Sequence, residues 1–452
     1  MAKFFGTDGV RGLANAGKMT PASMLRLGQV VGQYFGAETS GRPSALVGKD
    51  TRLSGDMIEA ALIAGLTSVG VDVKRAGVLP TSGVSLMTKA LGADLGVMIT
   101  ASHNKYPDNG VKFFGPEGWK LSDKAEADIE ALLVKAGEGA VPSAELGRVS
   151  LSDGLQSRYI EHCKSSLPSS LNLDGLKIVI DAAHGAAFGT AAETFTQLGA
   201  KEVISIGASP TGNNINAGCG STATELLSKT VISKGADVGV ALDGDADRLI
   251  MCDEKGTIID GDQLLGLLAT SWKAQGRLRG DGIVATVMSN LGLERYLAAN
   301  ALTLIRTSVG DRHVVSRMRK DGYNVGGEQS GHILMTDYSQ TGDGTMAAIQ
   351  ILSEIKRQNR PAGEVLKVFN PVPQILKNVR YSGENPMTLP ELLAAIEIAQ
   401  SDFAGQGRIL IRASGTEPLI RVMAEGDDAK RVETVVDHFV DLIETLTAAR
   451  PT

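Results

Sequence analysis

Three successive stretches of this chain repeat one order: apolar run, helical pattern, further apolar runs, then a polar loop. In the first, residues 45–48 read as a strand. Ser54 reads as the N-cap of a helix carrying Met57, Ile58, Ala61, Leu62 and Leu66 at helical spacing. Residues 71–73 and 95–99 read as further strands, and the last delivers Thr100-Ala101-Ser102-His103-Asn104 at its carboxyl end. The second stretch runs through strands at 177–181, 203–206 and 237–242, with helices around 191–198 and near 222–234, into Asp243-Gly244-Asp245-Ala246-Asp247-Arg248. The third has strands at 283–287, 302–305 and 323–325, and ends in Gly327-Glu328-Gln329-Ser330-Gly331-His332. Such alternation predicts parallel or mixed sheets, with ligands at the carboxyl ends of the strands. The strands are near-continuous apolar runs, as burial on both faces requires.

The last quarter differs. Asn370-Pro371-Val372-Pro373 reads as a hinge linker, since two prolines disfavour regular structure. A helix near 389–400, strands at 408–412 and 419–424 and a helix at 428–446 then form a small α+β domain with an antiparallel hairpin. The expected fold is therefore α/β: three repeated α/β domains with mixed sheets plus a C-terminal α+β domain. The boundaries are 1–152, 153–256, 257–369 and 370–452, and 452 residues suit that number at roughly 100–150 each. One polar loop per quarter suggests four domains closing on one cleft.

The net charge of −6 argues against a nucleic-acid or anionic-membrane surface, where a basic face is expected. An anionic substrate stays open, because a cleft can gather Arg and Lys locally. Cys163, Cys219 and Cys252 are far apart and form no C-x-x-C, which excludes a disulfide framework and fits a reducing compartment. The first twenty residues carry no apolar leader and no stretch is long enough to span a bilayer, so a cytoplasmic protein is expected.

The Asp loop is the most specific motif. Asp243, Asp245 and Asp247 at i, i+2, i+4 repel one another unless a cation lies among them. All-oxygen ligands select a hard ion, Mg²⁺ foremost, with a phosphoryl oxygen completing the shell. An EF-hand is excluded because its sixth position should be Gly and is Arg248, and its flanks read as strands. Gly218-Cys219-Gly220-Ser221-Thr222-Ala223 matches a dinucleotide fingerprint but follows no strand, so it reads as a helix-opening turn.

Ser102 is a turn serine or a strand-end nucleophile; no G-x-S-x-G elbow supports acyl transfer, and adjacent His103 is badly placed for a triad. Arg412-Ala413-Ser414-Gly415-Thr416-Glu417-Pro418, with Arg421 beyond it, is a polar β-turn or a phosphate cradle of amides, hydroxyls and guanidinium. Glu328 and Ser330 can hydrogen-bond sugar hydroxyls, and His332 is either a core histidine or a proton-transfer group. Arg11, in Phe5-Gly6-Thr7-Asp8-Gly9-Val10-Arg11-Gly12, belongs to a plain turn or is aimed at a phosphate. Lys112 is a strand-edge lysine or a cleft base. Each supplies a different part of one phosphoryl-transfer site.

On these motifs, and on Asp108–Phe114, the chain resembles the α-D-phosphohexomutase superfamily over nearly its full length. The opening Phe5–Gly12 segment and Gln329, where relatives acting on glucose or mannose phosphates usually carry Met, favour the glucosamine branch. Lys105 departs from the family, which often has Pro directly after Asn104. The resemblance implies a heart-shaped arrangement around a central cleft and an isomerase acting on glucosamine 6- and 1-phosphates through phospho-Ser102. It implies one Mg²⁺ on Ser102, Asp243, Asp245 and Asp247, and Arg248 beside the phosphoserine. Glu328 and Ser330 would bind the sugar, and Arg412, Ser414, Gly415, Thr416 and Arg421 its non-reacting phosphate. Lys112, His332 or Arg11 would assist proton movement. A sugar bisphosphate is the implied primer and intermediate, a sugar phosphate the partner, and a homodimer is left open. A phosphoglucomutase or phosphomannomutase, a metal-dependent phosphatase and a non-catalytic binder are the competing readings.

Overall fold

Three mixed sheets and one antiparallel sheet order the chain in the computed structural model, which describes residues 4–6, 8–135, 140–403, 405–414 and 418–448. The first sheet contains β1 (Val10–Leu13), β2 (Ser44–Lys49), β3 (Asp72–Val78), β4 (Leu95–Ile99), β5 (Asp108–Phe114) and β6 (Val149–Leu151), in the order β1-β5-β4-β2-β3-β6. The second contains β7 (Lys177–Asp181), β8 (Glu202–Ile206), β9 (Val238–Leu242), β10 (Leu249–Asp253) and β11 (Ile258–Ile259), in the order β11-β10-β9-β7-β8. The third, in the order β13-β12-β14-β15, contains β12 (Gly282–Thr286), β13 (Thr303–Thr307), β14 (Val325–Gly327) and β15 (Ile333–Met335).

One rule places the functional loops. β4, β9 and β14 each run parallel to one neighbour and are followed by an antiparallel return strand, β5, β10 and β15. The polar loops are these three returns. The repeated strands, the mixed sheets and a strand on each side of the Asp loop were legible, but the antiparallel direction of the returns was not.

The chain divides into two compact units, Met1–Thr286 with Ile305–Val368, and Val287–Leu304 with Phe369–Thr452. In the first unit, helix Pro21–Glu38 starts on Pro21 with Thr20 as its cap, the Thr20 side chain accepting from Ser23 N. It packs on helix Gly55–Ser68 at a contact only small residues permit: a Cβ on Gly65 would lie 2.1 Å from the Leu25 carbonyl oxygen. Leu27, Val31, Ile58, Leu62, Val47 and Val97 fill the space below.

The second unit holds the antiparallel sheet β16-β18-β17, with β16 (Gln374–Arg380), β17 (Gly407–Ala413) and β18 (Leu419–Gly426). Helices Pro390–Phe403 and Ala429–Ala448 belong to the same unit, and Leu392, Ile396, Ile420, Val422, Val436 and Phe439 are in its core. The expected α+β hairpin is present.

Several local expectations are corrected. Ser54 occupies the N-cap position but does not cap: its hydroxyl accepts from Asn109 Nδ2 at 2.8 Å. The helix expected from 222 begins at Glu225, because Ser221 N is tied to Leu242 O and holds the preceding residues as a loop. β14 lies two residues beyond the expected 323–325, since Tyr323 N closes the preceding helix on Met318 O. The proline-flanked stretch is not a free linker: Val372 N donates to Asn290 Oδ1 and Val372 O accepts from Asn290 Nδ2, both at 3.0 Å. Among the described residues no helix is long and apolar enough to cross a membrane.

Candidate active site

The returns after β4 and β9 meet. Ser102 is buried at φ +52°, and its Oγ donates to Asp243 Oδ2 at 2.7 Å. Gly244 lets the loops touch, since a Cβ there would stand 2.5 Å from the Ser102 carbonyl oxygen. Asp243, Asp245 and Asp247 are buried, each with one carboxylate oxygen within 4.8 Å of the others. Asp245 Oδ1 has no hydrogen-bond partner among the described residues, and Asp247 Oδ1 faces only His332 Nδ1, at 3.6 Å. Buried carboxylate oxygens without donors are costly unless a cation takes them. The cage therefore fits a hard metal ion with the Ser102 oxygen beside it.

Burial, then Asp247 and Asp245, pushes Asp243 up to about 8. At Asp247 burial works the same way, but Lys112 first and then His332 outweigh it and hold the carboxyl well below its usual range. Lys112, on β5, is buried with Nζ 2.9 Å from Asp245 Oδ2, 2.9 Å from Asp247 Oδ2 and 3.2 Å from Asp8 Oδ2. Burial alone would lower its pKa; the three carboxylates raise it well above the ordinary value. Lys112 is thus an interior ammonium rather than a strand-edge lysine.

A closed ring of alternating charge results. Asp247 meets Lys112, Lys112 meets Asp8, Asp8 meets Lys120, Lys120 meets Asp311, and Asp311 meets His332 Nε2 at 3.3 Å. His332 Nδ1 returns to Asp247 Oδ1 at 3.6 Å. Burial opposes protonation of His332, yet Asp247 and Asp311 carry its pKa up to about 10. His103, 3.4 Å from Ser102 Oγ through Nδ1, goes the other way: burial, then Arg248 and Arg11, lowers it to about 4. It is neutral beside the serine; of the two arginines that depress it, Arg248 Nε lies 4.0 Å from Asp243 Oδ2 and Arg11 lies 3.8 Å from Asp8 Oδ2.

Glu328, Gln329 and Ser330 form the return between β14 and β15. Glu328 Oε1 accepts Gly310 N at 3.1 Å, and Ser330 Oγ lies 3.3 Å from Glu328 Oε2. Gln329 supports the turn itself, donating to Asp260 Oδ2 at 3.3 Å.

In the second unit Arg412 and Arg421 stand opposite each other across β17 and β18. Neither Nε has a hydrogen-bond partner among the described residues, and burial, then Arg421, lowers the pKa of Arg412. Like charges so paired destabilise a hairpin unless an anion joins them. Ser414 N donates to Leu419 O beside them, while Gly415 and Thr416 lie outside the described residues.

Sequence reasoning missed Asp8, Asp50, Arg52, Thr81, Lys120 and Asp311. Thr81 Oγ1 donates to Asp245 Oδ2 at 2.6 Å. Asp8 lies within the Phe5–Gly12 motif, and the others are isolated polar residues in loops or at helix starts, with no motif around them.

The chain matches known proteins over most of its length. Residues 2–139, 157–256 and 260–372 match phosphoglucomutase/phosphomannomutase alpha/beta/alpha domains I, II and III, and 362–442 match the C-terminal domain. The chain belongs to the phosphoglucomutase/phosphomannomutase family. Within it the chain is similar to the phosphoglucosamine mutase of Sphingopyxis alaskensis, 55% identical over 98% of this chain and 99% of that one. A family protein from Burkholderia thailandensis shares the fold, with TM-score 0.82 at 22% identity over 98% of this chain and 97% of that one. So does Aspergillus fumigatus N-acetylphosphoglucosamine mutase, solved with GlcNAc-6P and magnesium, with TM-score 0.64 at 18% identity over 85% and 94%.

Proposed function

We propose that the protein interconverts glucosamine 6-phosphate and glucosamine 1-phosphate through phospho-Ser102 and a glucosamine bisphosphate, feeding amino-sugar nucleotide and cell-wall precursor synthesis. The observation that carries the chemistry is the buried Ser102 hydroxyl bonded to Asp243 within a three-carboxylate cage. The sugar is supported by the full-length relatives, 53–55% identical, that bear the phosphoglucosamine mutase name.

In this reading Asp243, Asp245, Asp247 and the Ser102 oxygen hold one Mg²⁺ per chain. When bound, that ion withdraws charge from the bridging oxygen. Arg248 and Arg11 steady the transferring phosphoryl group. Lys112 and His332 are held as cations and offset charge on the reacting oxygens, or hand over a proton. Glu328 and Ser330 bind sugar hydroxyls. Arg412, Ser414 and Arg421, with Gly415 and Thr416, hold the other phosphate. Ser102 gives its phosphoryl group to the free sugar hydroxyl, the bisphosphate turns over, and its other phosphate returns to Ser102.

The three free, buried cysteines support a cytoplasmic setting, and the net charge supports a small sugar phosphate rather than nucleic acid or membrane as partner. A homodimer is tested by sedimentation. The function is tested by coupled turnover of glucosamine, glucose and mannose phosphates while free phosphate is measured. Clear preference for glucosamine phosphates with phosphate conserved is expected, since a mispaired polar group discriminates more strongly than size. Equal kcat/KM on glucose 1-phosphate, or stoichiometric phosphate release, would replace this reading with a phosphoglucomutase or a phosphatase.

A further inference from the structure

We infer that Arg52 is a positioning residue for the Ser102 loop, an inference that rests on reading Ser102 as the nucleophile. The Arg52 side chain is fully buried, and a guanidinium has five N–H donors. All five are used. Nε donates to Asp50 Oδ2 at 2.9 Å. One terminal nitrogen donates to Lys105 O at 2.7 Å and Asp108 O at 3.1 Å. The other donates to Ser102 O at 2.8 Å and Asn104 O at 2.7 Å. Three of the five acceptors are thus backbone carbonyls of one loop, and a fourth is that of Asp108, where the loop enters β5.

The same pair grips Ser102 from its other side. Asp50 Oδ2 accepts Thr100 Oγ1 at 2.7 Å, and Thr100 Oγ1 accepts Ser102 N at 2.9 Å. The N–H of Ser102 is therefore tied back to Asp50 through Thr100, and its C=O directly to Arg52. Asn216 Nδ2, from the second sheet's loops, reaches Ser102 O and Asn104 O as well, each at 2.9 Å. A non-glycine residue at φ +52° persists only where its surroundings over-determine it. Here the determinants are named, and they converge on the residue that must receive and release a phosphoryl group. A buried ion pair serving the core would direct its donors to strands or helices; this one directs three of its five to the loop and a fourth to the residue where that loop ends. Lysine cannot replace it, having three donors on a point charge and no planar fork.

The test is single-turnover phosphoryl transfer from glucosamine 1,6-bisphosphate to Ser102, followed by intact mass, beside steady-state kinetics. Wild type should gain one phosphoryl group; if it gains none, the reading of Ser102 fails and not the placement of its loop. In Arg52→Lys, transfer and kcat should fall about 100-fold, the scale of a misplacement of roughly 1 Å. KM should stay within about threefold, because groups binding the rest of the sugar phosphate are untouched. Guanidinium added to Arg52→Ala should restore part of the transfer rate. Wild-type transfer in Arg52→Lys overturns the inference. So does a loss that follows the folded fraction in thermal melts and is not rescued by guanidinium. If neither arginine variant folds, Asn216→Ala, which removes the second donor to the same two carbonyls, must lower transfer with KM preserved, and full transfer in it overturns the inference.

Discussion

Ser102 Oγ and Asp243 Oδ2 lie 2.7 Å apart across 141 residues of chain. The contact joins the return of one sheet to the return of another, and it sets a hydroxyl against a carboxyl that burial and its neighbours raise to about 8. The cage is therefore a strained acid until a cation enters it.

That strain has a signed pH dependence. Between the unfolded value of about 3.9 and the folded value of about 8, the folded chain holds a proton at Asp243 that the unfolded chain has lost. Stability of the metal-free protein should fall as pH rises through that window. Melts in chelator at pH 5 and pH 8 should show wild type losing ground to Asp243→Asn, and Mg²⁺ should restore wild type alone. Parallel pH profiles for the two proteins would contradict the crowding.

His332 behaves oppositely. Its folded pKa of about 10 lies above the unfolded value of about 6.5, so its charge stabilises fully below that pH and is lost towards pH 10. The Tm difference between wild type and His332→Gln in chelator should be larger at pH 6 than at pH 10. A constant difference would remove His332 from the charge ring.

The opposed arginines predict an anion-dependent effect. Arg421→Ala should weaken binding of glucosamine 6-phosphate by about 1.5–3 kcal/mol, the range for hydrogen bonds to charged groups. Without ligand the variant should melt no lower than wild type, since a repulsion across the hairpin is relieved. Calorimetric titration and melting of the full chain read both effects, and unchanged affinity would displace the cradle.

Gly65→Ala separates packing from chemistry. Its Cβ would stand 2.1 Å from a backbone oxygen, and such overpacking costs about 1–3 kcal/mol. Denaturant melts should show the loss, with kcat per folded molecule unchanged. Wild-type stability would mean that helices Pro21–Glu38 and Gly55–Ser68 can separate freely.

Much of the fold was legible because strands such as β4 and β9 are short apolar runs ending in polar loops, a local signal. β16 was missed because four of its seven residues are exposed, so it carries no apolar run. β5 was missed for another reason: Asp108, Asn109 and Gly110 look like a turn, and only pairing with β1 and β4 makes them a strand.

By itself the sequence determined the Asp cage, the strand-end serine, the arginines flanking the last hairpin turn and the polar turn at Glu328–Ser330, because each lies within about ten residues of chain or on a recognisable motif. Only the tertiary structure decided which polar groups close the site. Arg52 reaches Ser102 across 50 residues, Thr81 reaches Asp245 across 164, and Lys120 reaches Asp311 across 191. A buried charge is stable only with its partners, and those partners are brought by sheet pairing and domain packing rather than by neighbours in the chain.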